Sequence, residues 1–328
     1  MRKTALLLIL VVVSMLAVGV IAEAQPTKIP RIGYLTAGSL SAQSARIKAF
    51  RQGLREFGYV EGKNIVIEWR SAEGKLNRLP ALAAELVRLR VDVIVTAGPI
   101  PTRSAKEATV AIPIVMTQDT DPVGNGFVAS LARPGGNITG LATLRPELSG
   151  KQLELLKEII PKLSRVAVFG TSIFPGNTQS LKETELAAGA FGVKLQYLDV
   201  LDPKDIETAF RAASKGRAEA VLMMVTGGIA GSQRRQVAEL AVKSQLPAIY
   251  RSREDVEAGG LMAYGVNVND LDRRAATYLD KLLKGAKPAD LAVEQPTKFE
   301  FIVNLKAAKQ IGLTIPPNVL VRADKVIK

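Results

Sequence analysis

The sequence contains no cysteine and no histidine. Without cysteine there is no disulfide, no thiolate metal site and no thiol nucleophile. A lipid anchor attached to a cysteine behind an export signal is excluded as well. Without histidine the chain lacks the side chain that most readily exchanges a proton near neutral pH, and also the commonest metal ligand. Ser-His-Asp chemistry and imidazole-held zinc are therefore ruled out. Aromatic residues make up only 5% of the chain, too few for platforms on which nucleic-acid bases stack. The formal net charge is +13, but no run of basic residues is longer than two. That pattern reads as a solvated basic surface, able to attract anionic ligands or membrane surfaces, and no nucleic-acid partner is expected. No G-x-G-x-x-G follows the first strand pattern and no P-loop occurs. No catalytic, metal or cofactor site is expected.

What is present begins with an export signal. Arg2 and Lys3 precede an apolar run over 5–21, broken only by Ser14 and Gly19, and Ala22-Glu23-Ala24 follows. A basic start, an apolar middle and a small-x-small ending predict a signal peptide over 1–24, cleaved after Ala24, and a mature protein in the periplasm. The rival reading is a retained membrane anchor, for which the run falls slightly short of the roughly 20 apolar residues a spanning helix needs.

From Arg31 onward, short apolar runs alternate with helical periodicity. Ile32-Gly33-Tyr34-Leu35 reads as a strand. Ile47, Phe50, Leu54 and Phe57 recur at helical spacing, and Gly58 is placed to end that helix in a left-handed conformation. Val93-Ile94-Val95 is apolar on both faces, as in a strand covered by helices on both sides. Such alternation predicts an α/β fold with parallel sheets. The order then repeats: Arg165, Phe191 and Pro247 each stand 134 positions after Arg31, Phe57 and Pro113. A repeat of domain size follows. We therefore expect two similar, doubly wound parallel-sheet lobes, over 25–148 and 149–268. The first would be completed by about 269–328, where Leu271, Ala275, Tyr278 and Leu282 mark one face of a long helix. Repeated crossings would make a multi-strand hinge, stiff against twisting and free to bend.

Parallel α/β sheets bind ligands beyond the carboxyl ends of their strands, so the turns that follow the strands are the candidate site. In the first half these turns carry Thr36 and Gly38, then Gly98, Pro99 and Thr102, then Thr117, Asp119 and Asp121. In the second half they carry Thr171 and Ser172, then Thr226 and Gly227, then Tyr250 and Arg251. Hydroxyls donate and accept hydrogen bonds without fixed charge, and glycine lets a ligand approach the backbone. A helix starting at Pro101 would offer free amides and a partial positive charge to a carboxylate or phosphate. A helix start capped by its own threonine fits the same residues. Asp119 and Asp121 could pair as carboxylates, but Asp121-Pro122 more simply opens a helix at Val123. Arg251 and Arg253 could clamp an anion or simply carry surface charge. Met223 and Met224 read as core.

Several stretches carry a family resemblance. They include Phe50-Arg51-Gln52-Gly53-Leu54-Arg55-Glu56-Phe57-Gly58-Tyr59, Asp121-Pro122-Val123-Gly124 and Leu131-Ala132-Arg133-Pro134-Gly135-Gly136-Asn137-Ile138-Thr139-Gly140. Glu257-Ala258-Gly259-Gly260-Leu261, Lys284-Gly285-Ala286-Lys287-Pro288 and Gly312-Leu313-Thr314-Ile315-Pro316 continue the pattern. Together they resemble the substrate-binding proteins of ABC transporters, in the tryptophan-binding-like group, over nearly the whole chain after the signal. The resemblance implies a type I periplasmic binding fold with a hinged cleft. It implies a small polar or amino-acid-like ligand held by the strand-end turns, delivery to an ABC permease at the inner membrane, and no catalysis. A monomer is expected. The alternative is a periplasmic sensor module of the same fold that presents its ligand to a receptor kinase.

Overall fold

The computed structural model describes residues 28–143, 145–174, 176–225, 229, 233–296 and 298–328, with the backbone alone for 145–147. The signal segment expected over 1–24 lies outside the described residues. So do Thr226 and Gly227.

The first sheet is built from β1 (Arg31–Thr36), β2 (Val66–Ser71), β3 (Val93–Ala97), β4 (Ile114–Asp119) and β5 (Ile138–Ala142). Its order is β2-β1-β3-β4-β5, and every pairing is parallel. Helices α1 (Ser44–Glu56), α2 (Leu79–Arg88) and α3 (Pro99–Ala108) connect the first strands. The apolar positions of the sequence account for the layering. Ile32, Tyr34, Val93 and Val95 meet Phe50 and Leu54 of α1 on one face. Leu35, Ile94, Ile114 and Met116 meet Leu79, Leu82 and Leu86 of α2 on the other. Burying both faces of a parallel sheet in this way removes apolar surface worth about 25 cal/mol per Å².

The second sheet holds β6 (Arg165–Gly170), β7 (Lys194–Asp199), β8 (Ala220–Met223), β9 (Ala248–Tyr250), β10 (Met262–Val266), β11 (Phe299–Asn304) and β12 (Lys325–Ile327). Its order is β12-β11-β10-β9-β8-β6-β7. The run β7-β6-β8-β9-β10 repeats the order of the first sheet, and β1 and β6 begin at Arg31 and Arg165, the residues whose spacing disclosed the repeat. Helices α4 (Arg145–Ile159) and α5 (Asn177–Phe191) cover one face. On the other lie α6 (Asp205–Lys215), α7 (Arg234–Lys243) and the short α8 (Arg253–Glu257). Met223 and Met224 are both core.

The long helix α9 (Val268–Leu283) returns to the first lobe. Leu271, Ala275, Tyr278, Leu279 and Leu282 pack with Phe50 and Leu54. The approach to α1 is close: a Cβ on Gly53 would lie 2.1 Å from the Arg273 carbonyl oxygen, so only glycine fits there. The rest of 269–328 does not follow α9, which corrects the expected completion of the first lobe. Glu294 still bonds β5 at Gly140 and Ala142, but β11 pairs antiparallel with β10 and β12 parallel with β11. The physical reason is an open edge. β11 covers β10, whose unpaired backbone groups would otherwise face solvent. It also buries Phe301 and Val303 on one face of the sheet and Ile302 on the other. The chain thus crosses between lobes after β5, between β10 and α9, and between Glu294 and β11.

Candidate ligand-binding cleft

Each parallel sheet gathers its strand-to-helix turns at the carboxyl ends of its strands. In the first lobe the register aligns Thr36 with Ala97, Thr96 with Met116, and Asp119 with Ala142. The turns at Thr36, Gly98 and Asp119 therefore share one edge. The β1 turn is built around a residue the sequence did not single out. Gln43, just before α1, donates its amide to Thr36 Oγ1 at 2.5 Å. It lies over Gly38, where a Cβ would come within 2.8 Å of Gln43 Nε2. The Gln43 Oε1 is buried with no hydrogen-bond partner, and an acceptor in that condition costs free energy until something donates to it.

The β3 turn differs from expectation. Gly98 has φ +101° and ψ 171°, backbone geometry essentially restricted to glycine. The helix behind it starts at Pro99, not Pro101. Proline has no N–H, so of the first three helical residues only Ile100 brings a backbone donor. The Thr102 N–H reaches back to the Gly98 carbonyl at 3.2 Å. Its hydroxyl donates to the same carbonyl at 2.9 Å or shares its proton with Thr96 Oγ1 at 2.7 Å. Thr102 is fully buried. The expected anion cradle is therefore thinned by its own prolines, and Thr102 locks the turn from inside.

The β4 turn carries a register shift between Met116 and Asp119, a bulge of the kind that re-aims side chains beside binding sites. The Thr117 hydroxyl is buried without a hydrogen-bond partner. Asp119, also fully buried, accepts from the Asp121 N–H and from Asn125 Nδ2, both at 2.9 Å. Asp121 accepts from the Gly124 N–H at 2.8 Å. It is the turn former, not half of a carboxylate pair. Behind the bulge, Arg46 Nε donates to Asp272 Oδ2 at 2.7 Å and Tyr34 donates to Asp272 Oδ1 at 3.1 Å. With its amide oxygen toward the guanidinium, Gln118 accepts from Arg46 Nη1 at 2.9 Å. Burial, then the Asp272 carboxylate, raise the Tyr34 phenol above its ordinary pKa, so it stays a donor.

In the second lobe, the Thr171 hydroxyl donates to the Val200 carbonyl at 2.8 Å. Ser172 donates to Asp199 through both its N–H, at 2.9 Å, and its hydroxyl, at 2.6 Å. Both predicted contacts are thus engaged with the neighbouring β7. Arg251 Nη2 donates to Ser149 of the crossing helix α4 at 3.1 Å. Arg253 binds Glu300, with Nη2 to Oε1 at 2.9 Å, and is no clamp. Tyr250 lines a cavity of about 30 Å³ together with Phe169, Met223, Val225 and Val237 and the charged Arg234, Arg251 and Asp255, and its hydroxyl oxygen is buried with no hydrogen-bond partner. Asp255 at its side is held by Arg234 Nε at 3.1 Å and by Ser252 at 2.7 Å. Burial nevertheless raises its carboxyl above the usual carboxylate range.

The two edges touch. A Cβ on Gly176, before α5, would sit 2.7 Å from Thr120 Oγ1, after β4. Of the predicted contacts described, the structure leaves Thr36, Gly38, Gly98, Pro99, Thr117 and Asp119 on the first edge, and Tyr250 and Arg251 on the second. The model of the ABC transporter substrate binding protein family matches residues 38–327. This chain belongs to that family. Among curated relatives, the family member is similar to a tyrosine-binding protein of Clostridioides difficile, with 26% identity over 267 residues, 81% of this chain and 76% of that one. A conserved domain protein of Vibrio cholerae superposes with a TM-score of 0.86 at 27% identity, covering 91% of this chain and 100% of that one. The ABC domain of Streptococcus pneumoniae in complex with L-Trp gives 0.84 at 26% identity, over 91% and 99%. The fold is that of type I periplasmic binding proteins. The family is one of substrate-binding proteins and not of enzymes, so this substrate-binding protein holds small molecules and does not convert them.

Proposed function

We propose that the protein is exported to the periplasm, closes its two lobes on one amino-acid-like or other small polar molecule, and delivers it to an ABC permease. The observation that carries this reading is the meeting of two like-ordered sheets at their carboxyl edges. The Thr120–Gly176 approach brings together the corners where parallel sheets bind ligands. Three crossings let the lobes part and rejoin as units. Buried acceptors at Gln43 and Thr117 would receive donors from a ligand such as an ammonium group. The tyrosine- and tryptophan-binding relatives favour an amino acid. Calorimetry and thermal unfolding with L-tyrosine, L-tryptophan and a panel of amino and organic acids test this. Saturable binding by at least one compound is expected. At about a hundredfold excess over Kd that compound should add about 2.7 kcal/mol of stability. If every compound leaves the melting temperature unchanged and gives no heat, the reading fails.

A further inference from the structure

A groove of about 400 Å³ lies between α1 and β2 on the flank of the first lobe; it begins at Leu40, Ser41 and Ser44 beside the β1 turn and includes no residue of the Gly98, Asp119 or Tyr250 corners. That volume falls in the range of roughly 300–1,000 Å³ typical of small-molecule sites. Lys48, Arg51 and Arg55 line it from α1, Ile47 supplies apolar surface, and Trp69 of β2 forms the facing wall. Positions 48, 51 and 55 are three and four residues apart, so their side chains share one helical face. The middle cation is fixed. Arg51 Nε donates to Glu61 Oε2 at 2.6 Å, and its guanidinium stands 5.0 Å over the indole. Trp69 Nε1 donates to Glu61 Oε1 at 2.8 Å. Lys48 and Arg55 on either side are exposed, and neither has an acidic partner among the described residues. Two uncompensated cations thus flank a pre-organised indole wall.

We propose that this groove is a second binding site, for a small organic anion. Its phosphate or carboxylate would lie between Lys48 and Arg55, with its apolar body against Ile47 and Trp69. The Glu61 carboxylate beside Arg51 disfavours an extended polyanion or an anionic membrane, which would have to lie against it. The site does not depend on the cleft reading.

Trp69 is the only tryptophan in the chain, so its fluorescence reports on this groove. Phenyl phosphate, titrated into the purified protein at about 0.15 M salt, should change the emission saturably and bind more weakly as salt rises. Combining Lys48→Ala with Arg55→Ala should weaken that binding at least tenfold and leave thermal unfolding unchanged. Phenyl phosphate held in the cleft would be indifferent to these two substitutions. No saturable change, or equal affinity in the double variant, overturns the site. A response to phosphatidylglycerol vesicles with none to phenyl phosphate overturns the small-ligand assignment in favour of a membrane.

Discussion

The two lobes share a strand order, yet their facing edges are chemically unlike. In the first, Thr36, Gln43, Thr117, Gln118 and Asp119 crowd one sheet edge with hydroxyls, amides and a carboxylate, and the buried Tyr34 and Asp272 with the half-buried Arg46 stiffen it from behind. In the second, Thr171 and Ser172 are bonded to Val200 and Asp199 at the end of β7, and Tyr250 lines a small cavity whose walls mix apolar side chains with Arg234, Arg251 and Asp255. The repeated backbone fixes where corners fall, while the side chains on those corners are free to diverge. Two such halves suit a molecule with unlike ends.

The sharpest way to break this comparison is Asp272→Ala. Asp272 is fully buried, and its loss leaves Arg46 and the Tyr34 hydroxyl without their anion. Removing one partner of a buried ion pair costs about 3–5 kcal/mol. Urea unfolding followed by Trp69 fluorescence reports on the first lobe directly, because Trp69 packs 4.8 Å from Tyr34. A loss below about 1 kcal/mol would mean that the first edge is not held by this cluster.

A smaller effect is expected from Tyr250→Phe. The deleted hydroxyl is buried and unpartnered, so its removal should leave stability unchanged or raise it by up to about 1 kcal/mol. If the second lobe receives the apolar part of the ligand, the variant should also shift preference from L-tyrosine toward L-phenylalanine, measured by calorimetry. Lost stability, with the tyrosine-to-phenylalanine ratio unchanged, would remove Tyr250 from the site.

Much of this frame was legible in the sequence. The 134-residue spacing of Arg31 and Arg165 marks the starts of β1 and β6, and the periodicity of Ile47, Phe50 and Leu54 is the buried face of α1, whereas Phe57, read with them, follows the helix and is exposed. Strand ends named the corners, because every strand-to-helix turn of a parallel sheet falls at its carboxyl edge. What stayed hidden depends on partners far apart in the chain. Arg46 meets Asp272 across 226 positions, and no local pattern discloses such a pair. Ser172 reads as a free hydroxyl until β7 brings Asp199 beside it. The Pro99 helix start was obscured because proline suits the first helical position at either 99 or 101. The destination of β11 was decided by the open edge of β10, a property of the assembled sheet and not of residues 299–304.

The smallest effect tests whether the repeat reaches the opposite ends of the strands. At the start of β1, Asp92 Oδ2 accepts from the Arg31 N–H at 2.8 Å. At the start of β6, Glu219 Oε2 accepts from the N–H groups of Ser164 at 2.6 Å and Arg165 at 3.2 Å. The same acidic latch thus appears in both lobes. The backbone hydrogen bond from Ser164 leads in holding the Glu219 carboxyl below its ordinary value. A carboxyl with a lowered folded pKa stabilises the protein above the ordinary carboxylate range, and that stability is lost as pH falls through the folded value. Glu219→Gln should therefore be slightly less stable than the parent at neutral pH and lose less as pH falls, so that the two curves converge in acid. Solvent screening at this exposed position keeps the difference small. Melting temperatures of both proteins, taken from pH 7 down to about pH 3, measure it. Parallel curves would show that the second latch is geometric only, with no charge behind it.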